Sequence, residues 1–145
     1  LKVLLFELQP QSLDATRFPQ LIEQLVETVA AGVDGDVEAD VAEIPVLPRH
    51  VKLGMYRLAQ ESLSNAVRHS GARSIAVRVG HDQGTTFLVV SDTGTGFDPE
   101  RVTQGQGLRN LQERAGSIGA DLLIDSRSEV GTTGTVNWSA RGDQP

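Results

Sequence analysis

Phe87-Leu88-Val89-Val90-Ser91-Asp92-Thr93-Gly94-Thr95-Gly96-Phe97 is the stretch from which the rest of the chain is read. Its four consecutive apolar residues predict a strand buried on both faces, with Asp92 where that strand leaves the sheet. Gly94 and Gly96 have no Cβ and accept backbone angles closed to other residues, so a flat ligand can lie against the chain there. The pattern offers a carboxylate to a ligand's hydrogen-bond donors. Three readings fit it: a tight turn after a core strand, an aspartic-protease carboxylate, or a nucleotide site. The protease reading needs a second copy or a symmetric all-β dimer. The nucleotide reading needs further glycine loops and a group that handles a metal.

Ser74 to Val79 and Thr85 to Ser91 read as two β segments with Gly80 to Gly84 as the turn, a hairpin whose second strand is the opening stretch. Before it, Val51 to Ser70 is the longest helix candidate, stopping at Gly71. At about 100° per residue, Met55, Tyr56, Leu58, Ala59, Leu63, Ala66 and Val67 gather into one apolar arc, and Glu61, Asn65, Arg68 and His69 into a polar stripe beside it. An exposed helix flank accounts for any one of the four, and His69 near a helix C-terminus also complements the dipole. Together they have more specific chemistry. Glu61 can take a proton or orient water, Asn65 can give Mg²⁺ a hard oxygen, and Arg68 can meet anionic oxygens. Glu61 and His69 also raise a zinc site, but they stand eight residues apart rather than on adjacent turns.

After Asp98-Pro99 a polar segment contains Gln104-Gly105-Gln106-Gly107, followed by a helix candidate from Leu108 to near Gly119. Free N–H groups and the positive dipole end make such a junction an anion site, although the lysine of a P-loop is absent. Leu122-Leu123-Ile124 and Val136 to Trp138 read as strands around Gly131-Thr132-Thr133-Gly134-Thr135, which is either a hairpin turn or a source of hydroxyls for phosphate. Toward the other end, Asp36 to Glu43 alternates Val37, Ala39 and Val41 with acids as a half-exposed strand. Pro19 to Val33 predicts an amphipathic helix with Leu21, Ile22, Leu25, Val26 and Val29 on its apolar side and Gly32 as terminator. Leu1, Leu4, Leu5 and Leu8 recur at helical spacing before Pro10, as the last turns of a helix begun upstream.

Bulk properties narrow the classes. A chain of 145 residues with 39% hydrophobic content builds one core, so one domain is expected. Its formal net charge of -6 argues against sequence-independent DNA binding, and direct contact with nucleic acid is not expected. The absence of cysteine rules out disulfides and thiolate metal sites and fits a reducing cytoplasm. No apolar run approaches the roughly 20 residues of a membrane span, so no membrane contact by this segment is expected. Opening on Leu1, the chain reads as a soluble piece of something longer.

The order of these features carries a resemblance. A helix with Glu61 and Asn65, then Asp92-Thr93-Gly94-Thr95-Gly96-Phe97, then Gly105-Gln106-Gly107-Leu108, then Gly131-Thr132 resembles the ATP-binding domain (HATPase_c) of sensor histidine kinases, within the wider GHKL group. Leu4-Leu5-Phe6-Glu7-Leu8-Gln9-Pro10, the run Tyr56 to Ala72, and Gly107-Leu108-Arg109-Asn110-Leu111-Gln112-Glu113-Arg114-Ala115 look like the HisKA_3 subgroup, whose partners are LuxR/NarL-type response regulators. The resemblance covers nearly the whole chain, and four motifs in order make it specific. It implies an α+β fold, a two-layer α/β sandwich of the Bergerat kind with helices on one face of a mixed sheet. It also implies two segments: residues 1–10 as the end of the dimerisation and phosphoacceptor helix, and 11–145 as the ATP-binding domain.

The cofactors implied are ATP and Mg²⁺. Asp92 would accept a hydrogen bond from the adenine amino group, with Gly94, Gly96 and Phe97 beside the base and sugar. Asn65 would hold Mg²⁺, Glu61 would polarise the reacting groups or a water, and Gly105, Gly107 and Leu108 would belong to the lid over the triphosphate. Arg68 stands where the family often has Lys, and it neutralises phosphate with a different shape; His69 adjoins it in the same motif. Thr132 or Thr133 corresponds to the threonine near the last strand. An extra residue is expected there, because Gly134 occupies a position that the family fills with an apolar side chain.

In these kinases the γ-phosphoryl goes to a histidine on a long dimerisation helix, followed by an acidic residue. His50, His69 and His81 have no such setting, so the resemblance implies a fragment that binds Mg-ATP without phosphorylating itself. Its partners would be its own dimerisation helices, a second copy in the full-length homodimer, and the response regulator. Two alternatives stand beside this: a protein serine kinase of the anti-sigma-factor kind, and a degenerate module that serves only dimerisation or regulation.

Overall fold

The computed structural model describes residues 10–33, 35–69, 74–93, 106–127 and 131–140. Nine elements follow one another there: α1 (Pro10–Ala15), α2 (Phe18–Ala31), β1 (Asp36–Val41), α3 (Arg49–His69), β2 (Ser74–Asp82), β3 (Thr85–Asp92), α4 (Gln106–Ser117), β4 (Asp121–Arg127) and β5 (Gly131–Ser139). The strands form one sheet in the order β1-β2-β3-β5-β4. β1 and β2 run parallel, and every other neighbouring pair is antiparallel. A parallel pair needs a crossover, and α3 supplies it.

Side chains on a strand alternate between faces, and burial shows which face is covered. Ile75, Val77 and Val79 of β2, Thr86, Leu88 and Val90 of β3, and Val136 of β5 are buried, whereas Ala76 and Arg78 are exposed. The covering layer is helical: α2 packs on β1, α3 on β3 and β5, and α4 on β4. This is the α+β arrangement of helices on one face of a mixed sheet. The apolar arc of α3 enters the core, with Met55, Tyr56, Leu58, Ala59, Leu63 and Ala66 buried and Val67 packed at the margin. Each large aliphatic side chain of this kind contributes roughly 1.5–3 kcal/mol on burial. The predicted apolar side of α2 is buried in the same way.

Several local expectations are corrected. The opening strand is buried on one face rather than two: Phe87 and Val89 are half-buried on the open side of the sheet. There the Phe87 ring lies over Gly80, where a Cβ would come within 2.4 Å of the ring Cζ, and the Arg78 guanidinium carbon sits 5.4 Å from the ring centre. The apolar run therefore reflects a local lid of one ring on one glycine. The hairpin turn is also shorter than Gly80 to Gly84. Gln83 and Gly84 turn the chain alone, at φ of 51° and 82°, the left-handed pair a tight two-residue hairpin requires.

Gly131 to Thr135, read as a turn, belongs to β5, with Thr132 to Thr135 paired on both sides by β3 and β4. The extra residue expected near Gly134 does not take the form of a bulge against β3. The β3–β5 ladder runs without a bulge from Thr85↔Ser139 to Asp92↔Thr132. Ile124 fills beside the glycine instead, its Cδ1 3.4 Å from where a Gly134 Cβ would stand. Pro10 begins α1 rather than simply ending a preceding helix, and Leu13 carries α1 into the core. The expected helical turns of Leu1 to Gln9 lie outside the described residues.

α4 ends in a defined way. Gly119 is left-handed at φ 75°, its N–H donates to the Gly116 carbonyl, and the Ala120 N–H donates to the Ala115 carbonyl. This pair of bonds is a Schellman motif, which leaves Ile118 as the helix's last half-in residue.

Candidate functional site

The crossover topology decides where the polar stripe of α3 arrives. α3 ends at His69, and β2 begins at Ser74. Ser74 is tied to the residue after Asp92: the Thr93 N–H donates to the Ser74 carbonyl at 3.1 Å, and the Ser74 N–H donates to Thr93 Oγ1 at 3.2 Å. The C-terminal end of α3 and the Asp92 end of β3 thus meet at one end of the sheet. Glu61 and Asn65, one turn apart on α3, are half-buried there at the border of the core. Arg68 and His69 complete the last turn of α3, and their side chains lie outside the described residues.

Register places Asp92 on the helical face. It shares the parity of Leu88 and Val90, both buried under the helices, and is itself half-buried. Thr132 stands directly opposite it on β5, and Ser126 directly opposite Thr132 on β4. Cross-strand partners share a face, so Asp92, Thr132 and Ser126 form a polar row across three strands beneath the helical layer. Ser126 Oγ and Thr132 Oγ1 are 2.7 Å apart, and Ser126 is buried. Thr133 has the opposite parity and lies on the open face beside Ser91. The two threonines that sequence left equivalent are thereby separated, and it is Thr132 that joins Asp92.

Gly131 closes the row. At φ 141° it adopts a conformation that favours glycine, and a Cβ on it would lie 2.1 Å from the Asp92 carbonyl oxygen and 3.2 Å from Thr93 Cα. The absence of a side chain lets β5 start flush against the end of β3. Gly107 and Leu108 form the first turn of α4, with their side-chain surroundings outside the described residues. Gly94, Gly96, Phe97 and Gly105 also lie outside them. Ser126, the Thr93–Ser74 clamp and the steric role of Gly131 escaped the sequence reading, because each depends on which strands are neighbours.

The row supplies one carboxylate and hydroxyls at one end of the sheet beneath the helical layer, groups that can accept from the donor edge of a flat heterocycle. The α3 flank adds a carboxylate and an amide oxygen, suited to a hard cation and its anionic ligands. The donor set suits a nucleoside with a phosphate tail.

Comparison with known proteins agrees. The family model described as histidine kinase-, DNA gyrase B- and HSP90-like ATPase matches residues 50–141. Among curated relatives, the chain is 34% identical over 145 residues to the sensor histidine kinase MctS of Rhizobium johnstonii, covering 96% of this chain and 31% of that protein. It is 32% identical over 133 residues to the sensor protein VraS of Staphylococcus haemolyticus, covering 91% of this chain and 38% of the relative. The chain thus spans about a third of the length of these relatives. Among solved structures, the histidine kinase domain of the Erythrobacter litoralis blue-light activated kinase superposes with a TM-score of 0.74 at 18% identity, over 85% of this chain and 61% of that one. The mycobacterial sensor histidine kinase MprB gives 0.65 at 23% identity, over 83% and 92%. These last two show the shared fold. With the Asp92 row and the α3 flank in the matched interval, the chain belongs to the histidine kinase-, DNA gyrase B- and HSP90-like ATPase family.

Proposed function

We propose that this chain binds Mg-ATP and presents the γ-phosphate to a histidine outside residues 1–145, on a dimerisation helix, for onward transfer to a response regulator of the LuxR/NarL type. Residues 1–10 are the end of that helix, the kinase is of the HisKA_3 subgroup, and its full-length form is a homodimer working in the cytoplasm. The observation that carries the nucleotide part is the position of Asp92 on the covered face, with Thr132 opposite and the Glu61–Asn65 flank at the same end of the sheet.

In this reading the Asp92 carboxylate accepts a hydrogen bond from the adenine amino group. Thr132, held by Ser126, offers its hydroxyl beside it. Gly94, Gly96 and Phe97 border the base and sugar. Asn65 gives its side-chain oxygen to the cation, Arg68 and His69 face phosphate oxygens, and Gly105, Gly107 and Leu108 flank the triphosphate. Bound Mg²⁺ supplies neutralisation of the phosphate charge. Glu61 takes up a proton or orients the attacking group, so catalysis is mostly placement and charge compensation.

Titration calorimetry of ATP with Mg²⁺ tests this. The wild-type chain binds, Asp92→Ala weakens binding by at least roughly tenfold, the scale of a lost hydrogen bond to a charged group, and Asn65→Ala removes the Mg²⁺ dependence. Full affinity in Asp92→Ala would overturn the reading. The same chain, incubated with labelled ATP, gains no acid-labile label, because His50, His69 and His81 lack the acceptor setting.

A further inference from the structure

The contact between α3 and α4 has a feature that burial alone does not require. Gly54, in the N-terminal half of α3, is buried, and a Cβ built on it would stand 2.5 Å from Ile118 Cγ2 and 3.3 Å from Ile118 Cδ1. Ile118 has little room to yield. It is buried and β-branched, and the Schellman bonds at Gly119 and Ala120 fix the backbone that carries it. Ala120, buried two residues later, leads directly into β4. The C-terminal end of α4 is therefore pinned at three points: by the glycine of α3, by its own cap, and by the sheet.

α4 is 12 residues long and begins with the turn that holds Gly107 and Leu108. A helix of that length is about 18 Å long and stiff, so where its far end is pinned sets where its first turn stands. α3, on which it is pinned, is also the helix that carries Glu61 and Asn65. We propose that Gly54 is a positioning residue for the nucleotide: by admitting Ile118 against the α3 backbone, it sets the distance between the Asn65 flank and the first turn of α4, and so the affinity for the triphosphate. This rests on the nucleotide reading above. It concerns the phosphate end alone, since Asp92 is held by β2 and β5, independently of α4.

The test is a size exchange read by two ligands. Wild type, Gly54→Ala, Ile118→Ala and the double variant are compared for ATP and for adenosine, each displacing a fluorescent ATP analogue in Mg²⁺, at a temperature where circular dichroism shows all of them folded. Gly54→Ala forces the helices apart and Ile118→Ala leaves the anchor empty. Each lowers the ratio of ATP to adenosine affinity roughly five- to tenfold, the scale on which small misplacements of binding groups act. The double variant, with the new methyl in the vacated space, returns to within about twofold of wild type. A purely structural role would lower the unfolding temperature and leave that ratio unchanged, which overturns the proposal. If Gly54→Ala does not fold, Ile118→Ala decides alone: an unchanged ratio overturns the proposal. Absence of binding by the wild type would sink the nucleotide reading and this inference together, whereas wild-type binding with unaltered variants overturns only the role of Gly54.

Discussion

Gly131 and Asp92 touch backbone to backbone: the Gly131 Cα faces the Asp92 carbonyl so closely that any Cβ would fall 2.1 Å from the oxygen. The backbone at Asp92 is thus held by a neighbour without a side chain. Replacing Gly131 with alanine adds both a steric overlap and a strained φ. A loss of roughly 2–4 kcal/mol is expected, read from denaturant unfolding followed by the fluorescence of Trp138, the chain's one tryptophan. The folded fraction should also bind nucleotide less tightly, because Asp92 is displaced. An alanine variant with unchanged stability would show that the two strand ends separate at little cost.

Gly134 behaves differently. It lies mid-strand opposite Val90 and Ile124, its φ is not positive, and a Cβ there meets only Ile124 Cδ1 at ordinary contact distance. Gly134→Ala should stabilise the chain by about 0.5–1 kcal/mol, since glycine in a strand interior loses more backbone freedom on folding than alanine. The unfolding midpoint rises if the strand accepts the methyl. A fall would place another atom where the geometry shows space.

His81 and Thr86 form a pair whose two halves are unequal. Thr86 is buried to 1% exposure, and its Oγ1 lies 2.9 Å from Nδ1 of the exposed His81. His81→Ala strips a buried hydroxyl of this partner and should cost about 1–2 kcal/mol, whereas Thr86→Val removes the polar atom itself and should cost less. Combining the two should cost no more than Thr86→Val alone. Additive losses from denaturation curves would mean that His81 stabilises the sheet by packing.

Tyr56 offers a pH measurement without interference, as it is the chain's one tyrosine. Burial raises its phenol above the ordinary 10.0, with the positive charge of Arg57 acting weakly against it. The folded chain therefore keeps the proton after the unfolded chain has released it. The associated stability is intact below pH 10 and is lost as pH climbs through the folded-state value. Ultraviolet titration of phenolate should show a midpoint above 10.0 in the native chain that falls back in denaturant. Coincident midpoints would contradict the burial.

What sequence could show was whatever a short window holds. The 3.6-residue rhythm of α3 placed Glu61 and Asn65 beside the apolar arc, and Asp92 followed from one apolar run. What it could not show was set by neighbours distant in the chain. Gly131 to Thr135 has turn composition, yet pairing of Thr132 to Thr135 on both sides keeps it extended, so tertiary context overrides propensity. Choosing Thr132 over Thr133 needs the register with β3, and a shift of one residue reverses the answer. The apolar run of β3 looked doubly buried because nothing in the sequence says that Phe87 shelters Gly80.

The clamp of Thr93 on Ser74 and the seat of Ile118 on Gly54 have a consequence for how such a chain can change over time. Between them the backbone leaves the sheet at one fixed point and rejoins the core at another, and neither anchor draws on residues 94–105. Closing a longer connection costs only about 0.6 kcal/mol for each doubling of its length. Changes in the length of that interval are thus cheap for the fold itself, and what limits its sequence is the proposed nucleotide role of Gly94, Gly96, Phe97 and Gly105.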